Sequence, residues 1–272
     1  MDLGLRDRVC VVSGSTGGIG LATARLLVEE GARVVTSGRS EAPAIGEALH
    51  VSGDLVNAGE PERLVETVLA ELGGLDCLVN NVGVARIAAF EEVSDDEWNE
   101  YWQLDVMSYI RAIRAALPAL REGRGAIVNV SSTAAFQALP GNGTYAAGKA
   151  WVLLHSEALH EEVKARGVTV TAVCPGPIRS GFQEASQPLF ADRLPKFVWR
   201  EPDRVARDGL RAVERGKRSV IPGGLLVKMF FGFNRVAPAW LAVPAARRMM
   251  SKELERGGSD QAELPVPPAA SS

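Results

Sequence analysis

The 272-residue sequence is poor in cysteine and has no excess of basic residues. Cys10, Cys77 and Cys174 each stand alone in an apolar run, without the paired spacing of a disulfide framework or a metal site. We therefore predict three buried structural thiols and no bound metal. The formal net charge is −3. Because phosphate backbones are bound by clustered Lys and Arg, no nucleic-acid partner is expected.

The sequence also lacks a long apolar segment free of charge. The first residues, MDLGLRDR, are charged and lead directly into a strand pattern, which predicts a cytoplasmic protein without a signal peptide or transmembrane segment. Residues 223–250 are strongly apolar but contain Lys228, Arg235 and prolines, whereas a membrane span needs about 20 mainly apolar residues. We predict short helices that pack beside a substrate pocket or a subunit interface, with membrane-surface contact as the alternative. The polar, Pro-rich residues 251–272 are predicted to be disordered.

Apolar, β-rich runs alternate with helical patterns along residues 1–222. Near-continuous apolar strands separated by helices are typical of a parallel sheet that is covered on both faces. We predict one Rossmann-type, doubly wound α/β domain with about seven strands, and a loop or a single helical turn at 40–48. The strands are expected at 8–13, 33–37, 49–53, 76–81, 126–132, 168–174 and 218–222, and the helices near 18–30, 60–72, 94–121, 143–166 and 201–215.

A glycine-rich turn follows the first predicted strand. Gly14, Gly18 and Gly20 form a GxxxGxG pattern that leads into a helix. Such a turn lets backbone N–H groups and the positive end of a helix approach a pyrophosphate closely. Taken alone, the pattern also fits a tight strand-to-helix turn without a ligand.

The end of the second strand bears on the choice of cofactor. An acidic residue at this point would bind the adenosine ribose, whereas an arginine favours the additional phosphate of NADP. Gly38 occupies the position expected for the acidic residue and Arg39 follows it, which predicts NADP(H) rather than NAD(H). The alternative is that Arg39 is a solvated surface charge. Asp54 and Leu55 follow the third strand, where an Asp side chain could reach the adenine amino group.

Tyr145 and Lys149 are four residues apart in a predicted helix. Residues at this spacing lie on one helical face, about 5–6 Å apart at Cβ. A free phenol has a pKa near 10, and a neighbouring cation lowers such a pKa by about 1–3 units. The spacing therefore permits a general acid, but a helix surface with one aromatic residue and one cation has the same spacing.

The chain resembles the short-chain dehydrogenase/reductase superfamily over about residues 6–222. The resemblance rests on five stretches in the correct order, which are SGSTGGIG (13–20), NNVG (80–83), VNVSS (128–132), YAAGK (145–149) and PGPIRS (175–180). It implies a seven-stranded parallel sheet with the active site at the carboxyl edge of the strands. It also implies a homodimer or homotetramer that pairs the helices near 94–121 and 143–166.

The resemblance implies a catalytic role for Ser132, Tyr145 and Lys149. Ser132, thirteen residues before Tyr145, would polarise the carbonyl oxygen; Tyr145 would exchange its proton with that oxygen; and Lys149 would assist the phenol and bind the nicotinamide ribose. Ser131 is expected only to satisfy local backbone groups. The family usually has an asparagine where this chain has Asp105. We interpret Asp105 as a functional variant, whose ionised carboxylate would weaken the effect of Lys149 on the phenol. The alternative is that a protonated or water-bridged Asp105 replaces the asparagine without such an effect.

The resemblance also implies a set of cofactor contacts. They are Gly14, Ser15, Gly18, Ile19 and Gly20 at the pyrophosphate, Asn81 and Gly83 near the adenosine ribose, and Pro175, Gly176, Ile178 and Ser180 around the carboxamide.

Large apolar residues follow two of these stretches, and they predict an apolar ketone or alcohol as substrate. They are Phe136 and Leu139, with Gln137 between them, and Phe182, Leu189, Phe190, Phe197 and Trp199. Ordinary core packing is the alternative for all of them. We predict an NADP(H)-dependent ketone reductase or alcohol dehydrogenase. Two alternatives stay open: a cofactor-binding regulator without turnover, and an epimerase or dehydratase on the same fold.

Overall fold

Short runs of β-branched and other apolar residues form a seven-stranded parallel sheet in a computed structural model, which describes residues 4–41, 43–85, 87–178 and 194–256. The strands are β1 (Val9–Ser13), β2 (Arg33–Gly38), β3 (Leu49–Ser52), β4 (Cys77–Asn80), β5 (Ala126–Val130), β6 (Thr169–Val173) and β7 (Ser219–Val220). Their order in the sheet is β3-β2-β1-β4-β5-β6-β7. The predicted doubly wound α/β fold is confirmed.

Helices connect the strands and cover both faces of the sheet. They are α1 (Gly18–Glu29), α2 (Glu60–Leu72), α3 (Asp95–Trp102), α4 (Ser108–Gly123), α5 (Gly143–Lys164), α6 (Pro202–Glu214), α7 (Leu225–Asn234) and α8 (Ala239–Arg256). The chain moves outward from β1 to β3 and then returns to place β4 on the other side of β1. This reversal leaves a crevice at the carboxyl ends of β1 and β4, which is where ligands bind in open α/β sheets.

Alternate residues of each strand belong to two separate cores. Val11 and Leu78 pack against α2, α4 and α5 on one face, whereas Val12 and Val79 pack against α1 and α6 on the other. This alternation follows from the two-residue period of a strand, and burial on both faces explains why most strand residues are apolar. The three cysteines are free and buried, as predicted.

The helix predicted over 94–121 is interrupted at its centre. Ser94 begins α3 with a capping box: its hydroxyl accepts a hydrogen bond from the Glu97 N–H (3.3 Å), and its own N–H donates to the Glu97 carboxylate (3.0 Å). A π-helical turn, Gln103–Met107, then separates α3 from α4. Such turns carry one extra residue per helical turn and occur often at functional sites. The span predicted as a helix is helical throughout, but the sequence did not indicate the π-helical turn, which contains Asp105.

The C-terminal part of the described chain forms α7 and α8, which follow the last strand. Residues 40–48 contain no helix among those described, in agreement with the predicted loop. Within the described ranges, no helix is both long enough and apolar enough to cross a membrane.

Candidate active site

The turn between β1 and α1 is tight, and two of its glycines stand where a side chain would not fit. Gly14 has a φ of 62°, in the left-handed region that favours glycine. A Cβ atom on Gly20 would collide with the Gly14 carbonyl oxygen and lie 2.6 Å from Nδ2 of Asn81. The Asn81 amide donates a hydrogen bond to that same carbonyl at 2.9 Å, so β4 holds the turn in place.

Ser15 ties this turn to β2 with its side chain. Its buried hydroxyl accepts a hydrogen bond from the Ser37 N–H at 2.8 Å and donates one to the Ser37 carbonyl at 3.2 Å. The Ser15 N–H donates to the same carbonyl at 3.0 Å, so the hydroxyl and the amide of Ser15 are both occupied within the fold. The cofactor contact expected at Ser15 stays a prediction.

A cavity of about 530 Å³ lies along the carboxyl edge of the sheet and begins at this turn. Most residues of the predicted site line it, namely Gly14, Gly18, Ile19, Arg39, Asp54, Leu55, Asn81, Gly83, Ser132, Tyr145, Lys149, Pro175, Gly176 and Ile178. Ser15, Gly20 and Asp105 lie behind its wall. Ser180 lies outside the described residues. The cavity runs from the glycine turn past β4 to the ends of β5 and β6, a path that fits an extended dinucleotide.

Gly38 and Arg39 border the cavity where β2 ends. A Cβ atom on Gly38 would lie 2.6 Å from the methyl group of Thr16, so an acidic side chain could stand here only if Thr16 moved. Arg39 is exposed at the cavity edge. Asp54 accepts a hydrogen bond from the Val56 N–H at 3.3 Å, which orients its carboxylate in the turn after β3.

The two serines at the end of β5 have different environments. The buried Ser131 hydroxyl donates a hydrogen bond to the Lys149 carbonyl at 2.7 Å and thereby joins β5 to α5. Ser132 is partly buried on the cavity wall, where its hydroxyl accepts from the Ala134 N–H at 3.1 Å. Burial raises the pKa of Tyr145, and a hydrogen bond with Ser132 opposes this rise. Of the two hydroxyls, the one on Ser132 is therefore placed for chemistry.

Lys149 is buried between two tyrosines and a carboxylate. Its Nζ lies 5.7 Å from the ring centre of Tyr145 and 5.5 Å from that of Tyr109. It lies 3.2 Å from Oδ1 of Asp105 and donates a hydrogen bond to the Val130 carbonyl at 3.3 Å. The ammonium is thus fixed in one position, within reach of the Tyr145 ring.

Tyr109 was not predicted to belong to this cluster. Its hydroxyl donates to the carbonyl oxygens of Val82 (2.8 Å) and Val130 (3.2 Å), and burial raises its pKa to about 12. Tyr109 follows Asp105 by four residues, a spacing that places the two on one helical face. That spacing is the signal by which the sequence could have indicated it.

Burial and charge act in opposite directions on the pKa values of this cluster. Burial lowers the pKa of Lys149, but Tyr109, Asp105 and Tyr145 outweigh this effect and raise it. Burial raises the pKa of Tyr145 by more than Lys149 and Ser132 lower it, and Asp105 adds to the rise. Lys149 thus lowers the pKa of Tyr145 relative to burial alone, which is the direction expected from the spacing of the two residues. Burial also raises the pKa of Asp105 despite the neighbouring ammonium.

Gly83 makes the close contact between Asp105 and Lys149 possible. A Cβ atom on Gly83 would lie 2.5 Å from Oδ1 of Asp105 and 2.8 Å from Nζ of Lys149. Any larger residue would push these groups away. The Val84 N–H donates to the other Asp105 oxygen at 3.4 Å, so the segment after β4 also orients the carboxylate.

Of the residues predicted to border the substrate, only some line the cavity. Gln137 and Leu139 line the cavity. Phe136 and Trp199 instead pack in hydrophobic clusters beside it, and Phe197 packs edge-on against the ring of Phe230. The core-packing alternative therefore fits Phe136 and Trp199, whereas Phe197 is exposed. Phe182, Leu189 and Phe190 lie outside the described residues.

The C-terminal helices and a preceding loop supply wall residues that the sequence did not predict individually. Leu194, Phe231 of α7 and Met249 of α8 all line the cavity. The Phe231 ring passes so close to Gly176 that a Cβ atom there would lie 2.8 Å from it. No motif marks these three positions.

Among the described residues, His, Cys, Asp and Glu side chains form no group of three suited to a metal ion.

A glycine cradle at the sheet reversal and a Ser-Tyr-Lys cluster on one cavity together define a dinucleotide-binding oxidoreductase. Residues 8–188 match the family model described as short chain dehydrogenase. The chain belongs to this family, whose members use a nicotinamide cofactor, and the resemblance inferred from the sequence is confirmed.

Two curated relatives illustrate the similarity in sequence. The oxidoreductase YvrD of Bacillus subtilis (strain 168) is 36% identical over 187 residues, which cover 65% of this chain and 71% of that protein. The 3-oxoacyl-[acyl-carrier-protein] reductase FabG of Vibrio harveyi is 35% identical over 191 residues, which cover 67% of this chain and 78% of that protein.

Two solved structures illustrate the similarity in fold. The L-sorbose reductase of Gluconobacter frateurii, in complex with NADPH and L-sorbose, has a TM-score of 0.76 and 28% identity and covers 84% of this chain and 99% of its own. The 3-ketoacyl-(acyl-carrier-protein) reductase of Brucella melitensis, in complex with NADH, has a TM-score of 0.74 and 26% identity, with coverages of 80% and 96%.

Proposed function

We propose that this protein is an NADP(H)-dependent oxidoreductase that interconverts an apolar ketone and the corresponding secondary alcohol. The observation that carries the proposal is the arrangement of Ser132, Tyr145 and Lys149 around one cavity that also contains the glycine cradle. A bound nicotinamide supplies the hydride for reduction and accepts it for oxidation. The protein must then bind the two reactants next to each other and move one proton.

Tyr145 is the group that moves this proton. In reduction its hydroxyl protonates the forming alkoxide, and in oxidation its phenolate removes the alcohol proton. Ser132 donates a hydrogen bond to the same substrate oxygen, where charge develops in the transition state. Lys149, held by Asp105 and the Val130 carbonyl, stabilises the phenolate through its positive charge.

The glycine cradle and the wall beyond it would hold the cofactor. Gly14, Gly18 and Ile19 fit a pyrophosphate, because the close turn leaves space where side chains would otherwise stand. Asn81 and Gly83 fit the adenosine ribose. Around the carboxamide we expect Pro175, Gly176 and Ile178, with Ser180 a further expectation from the sequence.

The preference for NADP(H) rests on Gly38 and Arg39. No carboxylate stands at Gly38 to repel a 2′-phosphate, and the exposed Arg39 borders the cavity beside it. The two similar structures were solved with NADPH and with NADH, so the argument comes from these two residues of this chain.

The substrate end of the cavity favours an apolar carbonyl compound. Leu139, Leu194, Phe231 and Met249 contribute apolar surface, and binding is favoured when a similar apolar ligand displaces water from it.

We also expect a homodimer or homotetramer formed through α4 and α5, and the exposed Leu154 on α5 is consistent with such an interface. The cytoplasm stays the expected location.

The decisive experiment measures NADPH and NADH oxidation with a panel of apolar ketones. We expect turnover with NADPH and a loss of about 10²–10⁴-fold in Tyr145→Phe. Tyr109→Phe is a matched control, because its ring lies at a similar distance from the same ammonium but its hydroxyl binds backbone carbonyls. It should lose far less activity. Tight NADPH binding without turnover on any ketone would instead favour a regulator, and product formation without net cofactor change would favour an epimerase or dehydratase.

A further inference from the structure

Helix α7 has two apolar sides, of which the protein covers only one. Val227 and Phe231 are buried on the inner side. Because successive residues are about 100° apart around a helix, Leu225, Leu226, Met229 and Phe233 fall on one continuous arc that faces away from this pair. Their exposed fractions are 73%, 69%, 62% and 58%. An amphipathic surface helix would have polar residues on such an arc.

The exposed apolar surface continues beyond α7. Val236, in the connection to α8, is 77% exposed, and Trp240, in the first turn of α8, is 78% exposed. We call Leu225, Leu226, Met229, Phe233, Val236 and Trp240 the outer surface. Single exposed apolar residues are ordinary, but six along α7, the connection and the first turn of α8 mark an interaction surface.

The charged residues of the segment that carries the outer surface are all basic. Residues 223–250 contain Lys228, Arg235, Arg247 and Arg248 and no Asp or Glu. Arg235 forms an ion pair with Glu157 at 2.7 Å, whereas Lys228 and Arg247 are exposed. Arg247 follows Trp240 by seven residues, or two turns, and so lies on the same side of α8. The outer surface is therefore apolar with a basic border.

We propose that the outer surface binds an anionic lipid bilayer. Exposed apolar and aromatic side chains with neighbouring Lys and Arg are the combination that binds a membrane interface, because apolar burial and attraction to anionic headgroups add together. Helix α7 has ten residues, about 15 Å, which is half of a hydrocarbon core of about 30 Å. The contact therefore lies along the membrane plane.

A second copy of the chain fits this surface less well. A two-fold interface would place the same patch on both subunits. It would then bring the basic borders of the two copies together without an acidic residue from this segment between them. Anionic headgroups supply the opposite charge, so the sign of the border favours lipid over self-association.

Flotation of the full chain with lipid vesicles tests the proposal. We expect binding to phosphatidylcholine vesicles that contain phosphatidylglycerol, and weaker binding to phosphatidylcholine alone. Each basic residue near an anionic surface contributes about fivefold in affinity, so Lys228 and Arg247 predict a ratio of roughly 30-fold. This ratio should decrease as salt is added. No flotation with the mixed vesicles would overturn the proposal.

Variants separate the apolar and the electrostatic contributions. Met229→Glu combined with Phe233→Glu should reduce flotation by about tenfold or more, since charged groups are costly to place in lipid. Both side chains are exposed, so thermal unfolding should change little. Phe90→Glu is the matched control: Phe90 is 77% exposed but lies far from this segment in the sequence, and the variant should float like the unmodified protein.

A second pair of substitutions distinguishes loss of lipid binding from a folding defect. Lys228→Glu combined with Arg247→Glu leaves the apolar residues intact and should remove the preference for phosphatidylglycerol. Sedimentation velocity of the Met229→Glu, Phe233→Glu variant supplies the opposing outcome. Dissociation of an oligomer in that variant would assign the outer surface to a second copy and overturn the lipid proposal, as would unchanged flotation of either pair.

Discussion

Asp105→Asn tests how the buried carboxylate controls the acidity of Tyr145. Asp105 adds to the rise in the pKa of Tyr145, and its Oδ1 lies 3.2 Å from the Lys149 ammonium that opposes this rise. Asparagine has nearly the same shape but no charge. The substitution should therefore make the phenol easier to ionise, and the rate should follow.

The size of the effect can be estimated from two distances. Oδ1 of Asp105 lies 3.2 Å from Nζ of Lys149, and the same Nζ lies 5.7 Å from the ring centre of Tyr145. The carboxylate is then at most about 9 Å from that ring, where a unit charge contributes about 1.8 kcal/mol at an effective dielectric constant of about 20. This energy corresponds to about 20-fold in the ionisation equilibrium of the phenol, or about one pH unit.

The assay is the pH dependence of alcohol oxidation at saturating cofactor. The oxidation rate rises as the Tyr145 hydroxyl ionises, so the rise in Asp105→Asn should occur about one pH unit lower than in the unmodified enzyme. Burial raises the pKa of Asp105, and its charge acts on the phenol only above that pKa. Asp54→Asn, an equivalent change at a residue that lines the cavity after β3, should leave the profile in place. A profile that coincides with the unmodified one in Asp105→Asn would refute the coupling.

Three further predictions concern the cofactor, the helix and the serines. Arg39→Ala should weaken NADPH binding by about 10–100-fold without changing NADH binding; an equal effect on both cofactors in a fluorescence titration would contradict the role of the arginine. Gly148→Ala should stabilise the protein by about 0.5–1 kcal/mol in denaturant unfolding, because the nearest neighbouring atom lies 3.6 Å from the added methyl group, and a loss of stability would show that the helix needs glycine. Ser132→Ala should lower kcat by about 10²-fold with little change in stability, whereas Ser131→Ala should cost about 1 kcal/mol of stability and retain most of kcat; the reverse pattern would exchange their roles.

Much of the fold could be predicted because the strands are buried on both faces. A strand such as β1, with all five residues buried, cannot alternate polar and apolar residues, so its sequence shows the parallel sheet directly. The glycine turn was predictable for a similar reason. Gly14 and Gly20 stand where the backbone conformation or a neighbouring carbonyl excludes a side chain. Because such positions require glycine, the constraint can be recognised in the sequence.

Features that depend on packing between distant segments could not be recognised in the sequence. The π-helical turn at Gln103–Met107 has no breaker residue, and its residues are ordinary for a helix. Phe231 and Met249 line the cavity only because α7 and α8 pack against its wall. The net rise in the pKa of Tyr145 likewise depends on burial that the spacing of Tyr145 and Lys149 does not reveal.

Asp105, Gly83 and the π-helical turn form one structural unit. The turn inserts an extra residue next to α4, and Asp105 within it lies against Lys149. The contact requires that Gly83 have no side chain, because a Cβ atom would stand 2.5 Å from the carboxylate and 2.8 Å from the ammonium. A carboxylate buried here raises the pKa of the ammonium while opposing ionisation of the phenol. The same ion pair that fixes Lys149 in position thus also limits how strongly it acidifies Tyr145, and in that respect Asp105 differs physically from a neutral residue at the same place.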